Sequence, residues 1–590
     1  MRREGPSFLF SDSLLSAHTP TGIDKLTNPW QTCNMQIDTR QLPDNQTISA
    51  DVCIIGAGPA GLACANEFVG KGVRVALLES GGTREEKRAQ QLSEGSISGC
   101  IDESPELTHL RQLGGTANHW IIKMSDKQYG FRYVPLNEID FEKRAYVPNS
   151  GWPIRRSDLD AYYARAHQVA RIGPYDYEPG RWETERFKRL SLDDNQVLTD
   201  VYTFGPTQVF TRELPKKFAQ SAEIDTYLHA TVTELLTDRD AAVVSRARVQ
   251  TFEGKTIYFE AQQFVIASGG FGTPRLLLAS RSQSEQGIGN AHDVVGRYYM
   301  DHSLVPSGDF YPHDPKSINT LGLYDMRLVD GCSVLAGLKL SKTLIQKEGL
   351  LGFSATLFPM PTIEEVAGLL GLKNMAMAIK SRQMPDSLAK DLKNIFHAKK
   401  YITRMLYQKW VNDAPVMPGF GQGGWSKLND NHKKFQRLEL LAFVEQSPLR
   451  DNRVSLTNEK DALGCPKIKV HFQWYEHDIE SILRSQEIIA AALDDTGLGR
   501  FERAITEDGG PVIGAQGLHH LMGTTRMSDD PKMGVVDRDC KVHGMANLYI
   551  ASSSVFVTSG YSNPTLTILA LSIRLADEIQ RQFKFSRTTQ

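Results

Sequence analysis

The sequence predicts an α/β fold built around a Rossmann-like unit, and three observations carry that prediction. Residues 51–55 form an apolar strand that runs into Gly56-Ala-Gly58-Pro-Ala-Gly61 and the start of a helix. A second apolar strand, residues 73–78, ends on the acid Glu79. A third, residues 263–268, ends on a further glycine run at 269–272. Short apolar runs closed by glycine turns read as strands buried on both faces of a parallel sheet.

Each part of the first unit has a physical reason. Gly56 lets the chain turn sharply, Gly58 lets the backbone approach a pyrophosphate, and Gly61 lets the helix pack close to the strand. The helix N-terminus then faces the phosphates with unpaired N–H groups and a favourable dipole. Glu79 follows at about the 20-residue spacing at which a carboxylate meets a ribose hydroxyl. A dinucleotide is therefore expected at Gly56, Gly58, Gly61 and Glu79.

Composition narrows the function classes. The chain has 590 residues, 41% of them hydrophobic and 23% charged, which suits a globular protein of several subdomains. Lys+Arg 67 against Asp+Glu 69 leaves a net charge of −2, so nothing global attracts nucleic acid. The seven cysteines (Cys33, Cys53, Cys64, Cys100, Cys332, Cys465 and Cys540) are widely spaced, with no CxxC. Neither a disulfide framework nor a metal site is expected, and a reducing, cytoplasmic location is. No apolar run suggests a secretory signal or a bilayer span.

Further along, Gly151-Trp-Pro-Ile154 reads as a turn, and Ser157-Asp-Leu-Asp160 as the cap of a helix over 161–170. Residues 230–236, 245–251 and 256–261 are strand-like, with a turn at Glu253-Gly254. Thr273-Pro274 opens a helix over 275–280, the proline in its permitted first-turn place. Residues 363–379 and 387–410 are helical by period. In the second, Leu388, Leu392, Ile395, Phe396, Ile402 and Leu406 share a face, with lysines elsewhere. Such a helix packs its stripe beneath a solvated charged face, or else docks on a membrane or a partner. The packed stripe is the expectation here, without membrane contact.

Three more segments bear on the chemistry. They are Arg111-Gln-Leu-Gly-Gly-Thr-Ala-Asn-His-Trp120; His519-His520-Leu-Met-Gly-Thr-Thr-Arg-Met527; and Asn547–Ser554 with Gly560-Tyr-Ser-Asn-Pro-Thr-Leu-Thr-Ile568. With the glycine pattern at 56–61, they resemble the glucose–methanol–choline oxidoreductases, a family of FAD enzymes. Gly151–Ile154, Gly272-Thr-Pro-Arg275 and Glu445-Gln-Ser-Pro448 fit the same resemblance. The likeness leans toward the branch of pyranose oxidases and of gluconate and fructose dehydrogenases. It covers most of residues 48–583.

The resemblance implies roles. His520, in His520-Leu-Met-Gly523-Thr524, would be the catalytic base, and a neutral imidazole suits proton removal near pH 7. Hydride would pass from carbon to the flavin N5. Asn563, before Pro564-Thr565, would orient the substrate oxygen, since an amide donates hydrogen bonds but cannot act as a base. Arg111, Gly114 and Gly115 would line the pyrophosphate and ring loop; Val232 would lie at the adenine; Ser552 and Thr565 would touch the ribityl chain or ring. His119 keeps the spacing of a histidine bonded to the flavin 8α-methyl, and the alternative of a histidine beside noncovalent FAD stays open. His302 is assigned to support of the fold.

The resemblance also implies a discontinuous FAD-binding domain, residues 48–130, 225–305 and 510–583, and an α+β substrate-binding domain, residues 131–224 and 306–509. Residues 1–47 would be an N-terminal arm. The expected reaction is oxidation of a CH–OH group, and the branch resemblance implies that of a sugar, glycoside or polyol. Oxygen, a quinone or a redox protein would reoxidise the flavin, and a homo-oligomer is compatible with this reading. Two rivals differ in kind: a lyase on the same scaffold, as in hydroxynitrile cleavage, and an electron-transfer subunit acting only in a complex.

Overall fold

The computed structural model describes residues 36–100, 104–120, 122–125, 128–381, 384–385, 387–412, 425–427, 435–514 and 517–588. The expected arm thus lies outside the described residues up to position 35. Its remainder includes a strand, Gln36–Asp38, that joins the first sheet beside Ile224–Leu228.

The first sheet, among these residues, has eight strands. Its parallel part runs in the order Gln36–Asp38, Ile224–Leu228, Val75–Leu78, Thr47–Ile55, Thr256–Ile266 and Leu548–Ile550. Val52, Cys53, Ile54 and Leu77 are fully buried, as strands covered on both faces require. Thr256–Ile266 is one long strand rather than the two short ones expected. Its first half pairs antiparallel with Val244–Gln250, which pairs with Thr231–Thr237. Its second half pairs with Leu548–Ile550, so a segment from the far end of the chain completes the sheet. The helix Pro59–Asn66 and the helix Asp160–Ala170 pack against the C-terminal helix Thr565–Thr588.

The helix expected over 275–280 begins earlier, at Gly269, and runs to Ala279. Pro274 therefore sits inside it and leaves the carbonyl of Gly270 without its helical N–H. The hydroxyl of Thr524 donates to that carbonyl at 2.7 Å. One motif thus repairs the defect that another creates.

The second sheet is antiparallel, in the order Gly499–Arg503, Leu304–Pro312, Arg437–Val444, Phe353–Met360, Cys332–Leu340, Val197–Pro206, Gln128–Tyr133 and Ile122–Ser125. The helix Glu476–Asp494 covers one face, and Val201, Leu338, Leu357, Ile482 and Ile489 fill the core between them. A small sheet of Gly95–Gly99, Pro466–Phe472 and Arg453–Lys460 flanks the first domain. The whole is a two-domain α/β architecture with a discontinuous Rossmann-like sheet and an α+β partner.

The helical excursion departs from expectation. The segment expected as one helix over 387–410 is broken at Ala398 into Leu388–His397 and Lys399–Asn412. Ala398, Tyr401 and Ile402 pack with Leu369, but Leu392, Phe396 and Leu406 are 50%, 64% and 49% exposed. The covered residues cluster around the break, and the stripe is left uncovered on either side of it. Among the described residues no helix is long and apolar enough to cross a membrane, and no group of side chains is arranged to hold a metal ion. Cys53, Cys64, Cys100, Cys332, Cys465 and Cys540 are free thiols; Cys33 lies outside the described residues.

Candidate active site

The glycine loop sits at the C-terminal edge of the parallel strands, where open α/β sheets take their ligands. Gly56 has φ +112°, and a Cβ there would lie 2.5 Å from the carbonyl oxygen of Ala267. A Cβ on Gly61 would lie 1.9 Å from the carbonyl oxygen of Gly56. These two glycines are required by packing. Gly58 is different: a Cβ there would meet only the Cα of Gly115, at 3.8 Å. Its side faces open space, as close approach of a pyrophosphate demands. Gly58 also caps the helix whose first residue is Pro59.

The loop that faces it is held by backbone bonds. The N–H of Gly114 donates to the carbonyl of Ala57 at 2.9 Å, and Gly114 and Gly115 both have positive φ. Arg111 is anchored by its Nε, which donates to Ser93 Oγ at 2.8 Å, and burial pulls its guanidinium down to about 10. Glu79 is buried; its carboxylate accepts from Ala57 N–H at 3.1 Å and Gly81 N–H at 2.9 Å, and burial raises its pKa. Val232 is half-buried on Thr231–Thr237, just past the segment in which Ala230 N–H donates to the carbonyl of Glu79 at 2.7 Å. The cradle, with its open glycine and its acid at the next strand, fits the pyrophosphate and ribose of FAD.

His520 reaches the site on a two-stranded ribbon. Met300 and Met522 exchange backbone hydrogen bonds at 3.1 and 2.9 Å, and Leu518 N–H donates to the carbonyl of His302 at 2.9 Å. His519 adopts a left-handed φ of +60°, an uncommon state for a residue with a side chain, and this turn aims the next residue inward. His520 and His302 end side by side, ring centroids 5.0 Å apart. The carboxylate of Asp301 accepts from the N–H of both, at 2.8 Å for His520 and 2.7 Å for His302. Gln446, of the Glu445–Pro448 motif, steadies this unit by accepting from Asp301 N–H at 3.2 Å.

Asn563 comes from the turn before the C-terminal helix. Its Nδ2 lies 3.0 Å from His520 Nε2, while Arg132 Nε donates to its Oδ1 at 2.5 Å. Only the amide orientation with oxygen toward Arg132 satisfies both contacts. On the other side, His302 Nε2 donates to the carbonyl of Gly560 at 2.8 Å, leaving its Nδ1 as an acceptor. His520 Nδ1 faces that acceptor at 2.9 Å and must carry the hydrogen. The lone pair of His520 therefore lies on Nε2, toward Asn563.

The electrostatics favour a neutral imidazole. Burial, then His302, Arg132 and His519, hold His520 well below the ordinary histidine value. Burial brings His302 down to about 4. The surroundings are aromatic: Trp120 stacks on Phe131 at 4.6 Å, and Phe131 meets His520 edge-on at 6.4 Å. This ladder ties the glycine-rich loop to the histidine pair.

Other expected residues fall around the same space. His119 ends the short turn Gly115–His119 and is exposed; burial of its surroundings and the nearby His519 lower its pKa. Ser552 is buried just past Leu548–Ile550, its Oγ accepting from Ser554 N–H at 3.1 Å. Thr565 is the first residue of the C-terminal helix, whose unpaired N–H groups begin next to Asn563. Sequence reasoning left His302 to the fold and did not single out Arg132. The signal for Arg132 was a charge between Phe131 and Tyr133 in a strand that is otherwise apolar there.

Comparisons with known proteins agree with this architecture. A family model described as GMC oxidoreductase matches residues 448–572, and one described as pyridine nucleotide-disulphide oxidoreductase matches residues 50–301. A 2-methyl-1,2-propanediol dehydrogenase of Mycolicibacterium austroafricanum is 24% identical over 90% of this chain and 95% of its own length. The fructose dehydrogenase large subunit of Gluconobacter japonicus is 22% identical over 92% of this chain and 99% of its own. The crystal structure of a formate oxidase, 18% identical, superposes with a TM-score of 0.51 over 92% of this chain and 100% of that one, which speaks for the fold.

Proposed function

We propose that this chain, whose residues 448–572 match the GMC oxidoreductase family model, is an FAD-dependent enzyme of that superfamily that oxidises a CH–OH group to a carbonyl. The observation that carries the reading is the buried pair of His520 Nε2 and Asn563 Nδ2, 3.0 Å apart at the mouth of a dinucleotide fold. FAD, when bound, supplies the two-electron acceptor for the hydride. Gly56, Gly58, Gly61, Arg111, Gly114 and Gly115 would hold its pyrophosphate end, Glu79 its ribose and Val232 its adenine. Ser552, Thr565 and His119 would meet the ribityl chain and ring, with His119 as the point of attachment.

The chain's own residues then divide the work. The substrate hydroxyl displaces the Asn563 N–H from His520 Nε2 and takes its place against the imidazole. Its oxygen accepts a hydrogen bond from Asn563, and its proton moves to the lone pair on His520 Nε2. His302 accepts from His520 Nδ1 throughout and keeps the ring in the tautomer that can receive a proton. The stacked rings of Trp120 and Phe131 border the imidazole on one side. A sugar, glycoside or polyol suits the branch resemblance, which the whole-length likeness to a fructose dehydrogenase large subunit supports. Oxygen, a quinone or a redox protein would take the electrons away.

The test is anaerobic. Purified holoenzyme is mixed with a panel of sugars, polyols and primary alcohols while flavin absorbance is followed. Bleaching by at least one of them is expected; none by any, with flavin bound, would favour the lyase rival.

A further inference from the structure

The strand Gln128–Tyr133 delivers Arg132 to the histidine–asparagine pair. Arg132 is 2% exposed and uses Nε on Asn563, but its Nη1 is buried with no hydrogen-bond partner. No carboxylate among the described residues forms an ion pair with it. Asp200, the acid whose charge acts on it, is already held by Lys339 at 2.9 Å and by the hydroxyl of Tyr561 at 2.8 Å. The guanidinium instead lies 3.7 Å from the ring centroid of Phe443 and 4.6 Å from that of Tyr202.

An arginine is an unfavourable choice here if its only task is to orient Asn563. A glutamine amide could donate the same bond without burying a charge. The aromatic faces offset only part of that desolvation. The positive charge also works against its neighbour, because it helps to keep His520 from accepting a proton. Both penalties are relieved if an anion sits against Nη1 during the reaction. One cation in an apolar setting matches one negative charge, which points to a carboxylate rather than a phosphate dianion.

We propose that Arg132 is the anchor for a substrate carboxylate, so that the alcohol oxidised is a hydroxy acid or a sugar acid. This rests on the oxidoreductase reading and narrows its substrate class. A single side-chain amide, that of Asn563, bridges Arg132 and His520. The carboxylate and the carbon that loses hydride are therefore only a few bonds apart.

The test pairs acids with neutral alcohols of the same carbon skeleton, glycerate with glycerol and galactonate with galactitol, on the holoenzyme without air. The acids are expected to saturate flavin reduction at concentrations about 10- to 100-fold lower, as one charge-assisted bond would give. Arg132→Gln, which keeps a donor for Asn563, is expected to bring the two members of each pair within about threefold of each other. Because that variant could misfold, a second arm uses only the native enzyme. Calorimetric titration with propionate, which has no hydroxyl, is expected to show binding that competes with glycerate. Carboxylate binding without reduction by any alcohol keeps the anion site and sinks the oxidoreductase reading. Reduction by neutral polyols with no carboxylate binding sinks the anion site alone.

Discussion

Nδ1 of His302 and Nδ1 of His520 face each other at 2.9 Å, two nitrogens of which only one carries the hydrogen. The carbonyl of Gly560 decides which, because it can only accept and so claims the hydrogen on His302 Nε2. His302→Leu removes the acceptor and leaves a buried N–H on His520 unpaired, worth about 1–3 kcal/mol. Flavin reduction is expected to slow by about 10-fold or more, with flavin still bound. His302→Gln, whose amide oxygen can accept, should recover part of the rate. Equal rates in the leucine variant and the native enzyme would remove His302 from the positioning of the base.

Acid should act on stability before it acts on the base. Burial holds His302 at about 4 and His520 lower than its ordinary value, while unfolded imidazoles titrate near 6.5. Below about pH 6.5 the unfolded chain therefore gains protons that the folded chain refuses, and stability is lost as pH falls. His302 alone accounts for about 3 kcal/mol by about pH 4. The rate of flavin reduction, in contrast, should stay flat from about pH 8 to about pH 6. An acid limb near the ordinary imidazole value would contradict a depressed base.

Thr524 is expected to matter for folding more than for chemistry. Its hydroxyl is the partner of the Gly270 carbonyl that Pro274 leaves free. Thr524→Val should cost about 1–3 kcal/mol, read as a lowered midpoint in denaturant, and Thr524→Ser should recover most of it. No change in the valine variant would mean that the carbonyl finds another partner.

His119 gives a visible readout. Acid precipitation of the holoenzyme is expected to leave the yellow colour in the pellet, and His119→Ala to release it into the supernatant. Colour in the supernatant of the native enzyme would mean that FAD is held without a bond to this residue.

The parts of this structure that sequence made legible are those fixed by near neighbours. Gly56 and Gly61 could be read because backbone sterics demand them within a few residues of one strand end, and Gly58 because it keeps their spacing and leaves open space for a ligand. His520 and Asn563, which lie 3.0 Å apart, were singled out through local motifs. Arg132 and His302 were not, because each acquires meaning from a partner far along the chain: Asn563 is 431 residues from Arg132, and His520 is 218 from His302. The early start of the helix at Gly269 was hidden for the same reason, since Thr524 supplies what Pro274 removes. The break at Ala398 is local, yet Leu388–Leu406 carries no glycine or proline to announce it.

The most direct test of the central claim is the rate of anaerobic flavin reduction in His520→Ala. With flavin bound and a saturating alcohol that bleaches the native enzyme, the rate is expected to fall by at least ~10²-fold, the magnitude of lost general-base catalysis. An unchanged rate would contradict the account, because the lone pair that His302 and Asn563 aim would then have no part in removing the proton.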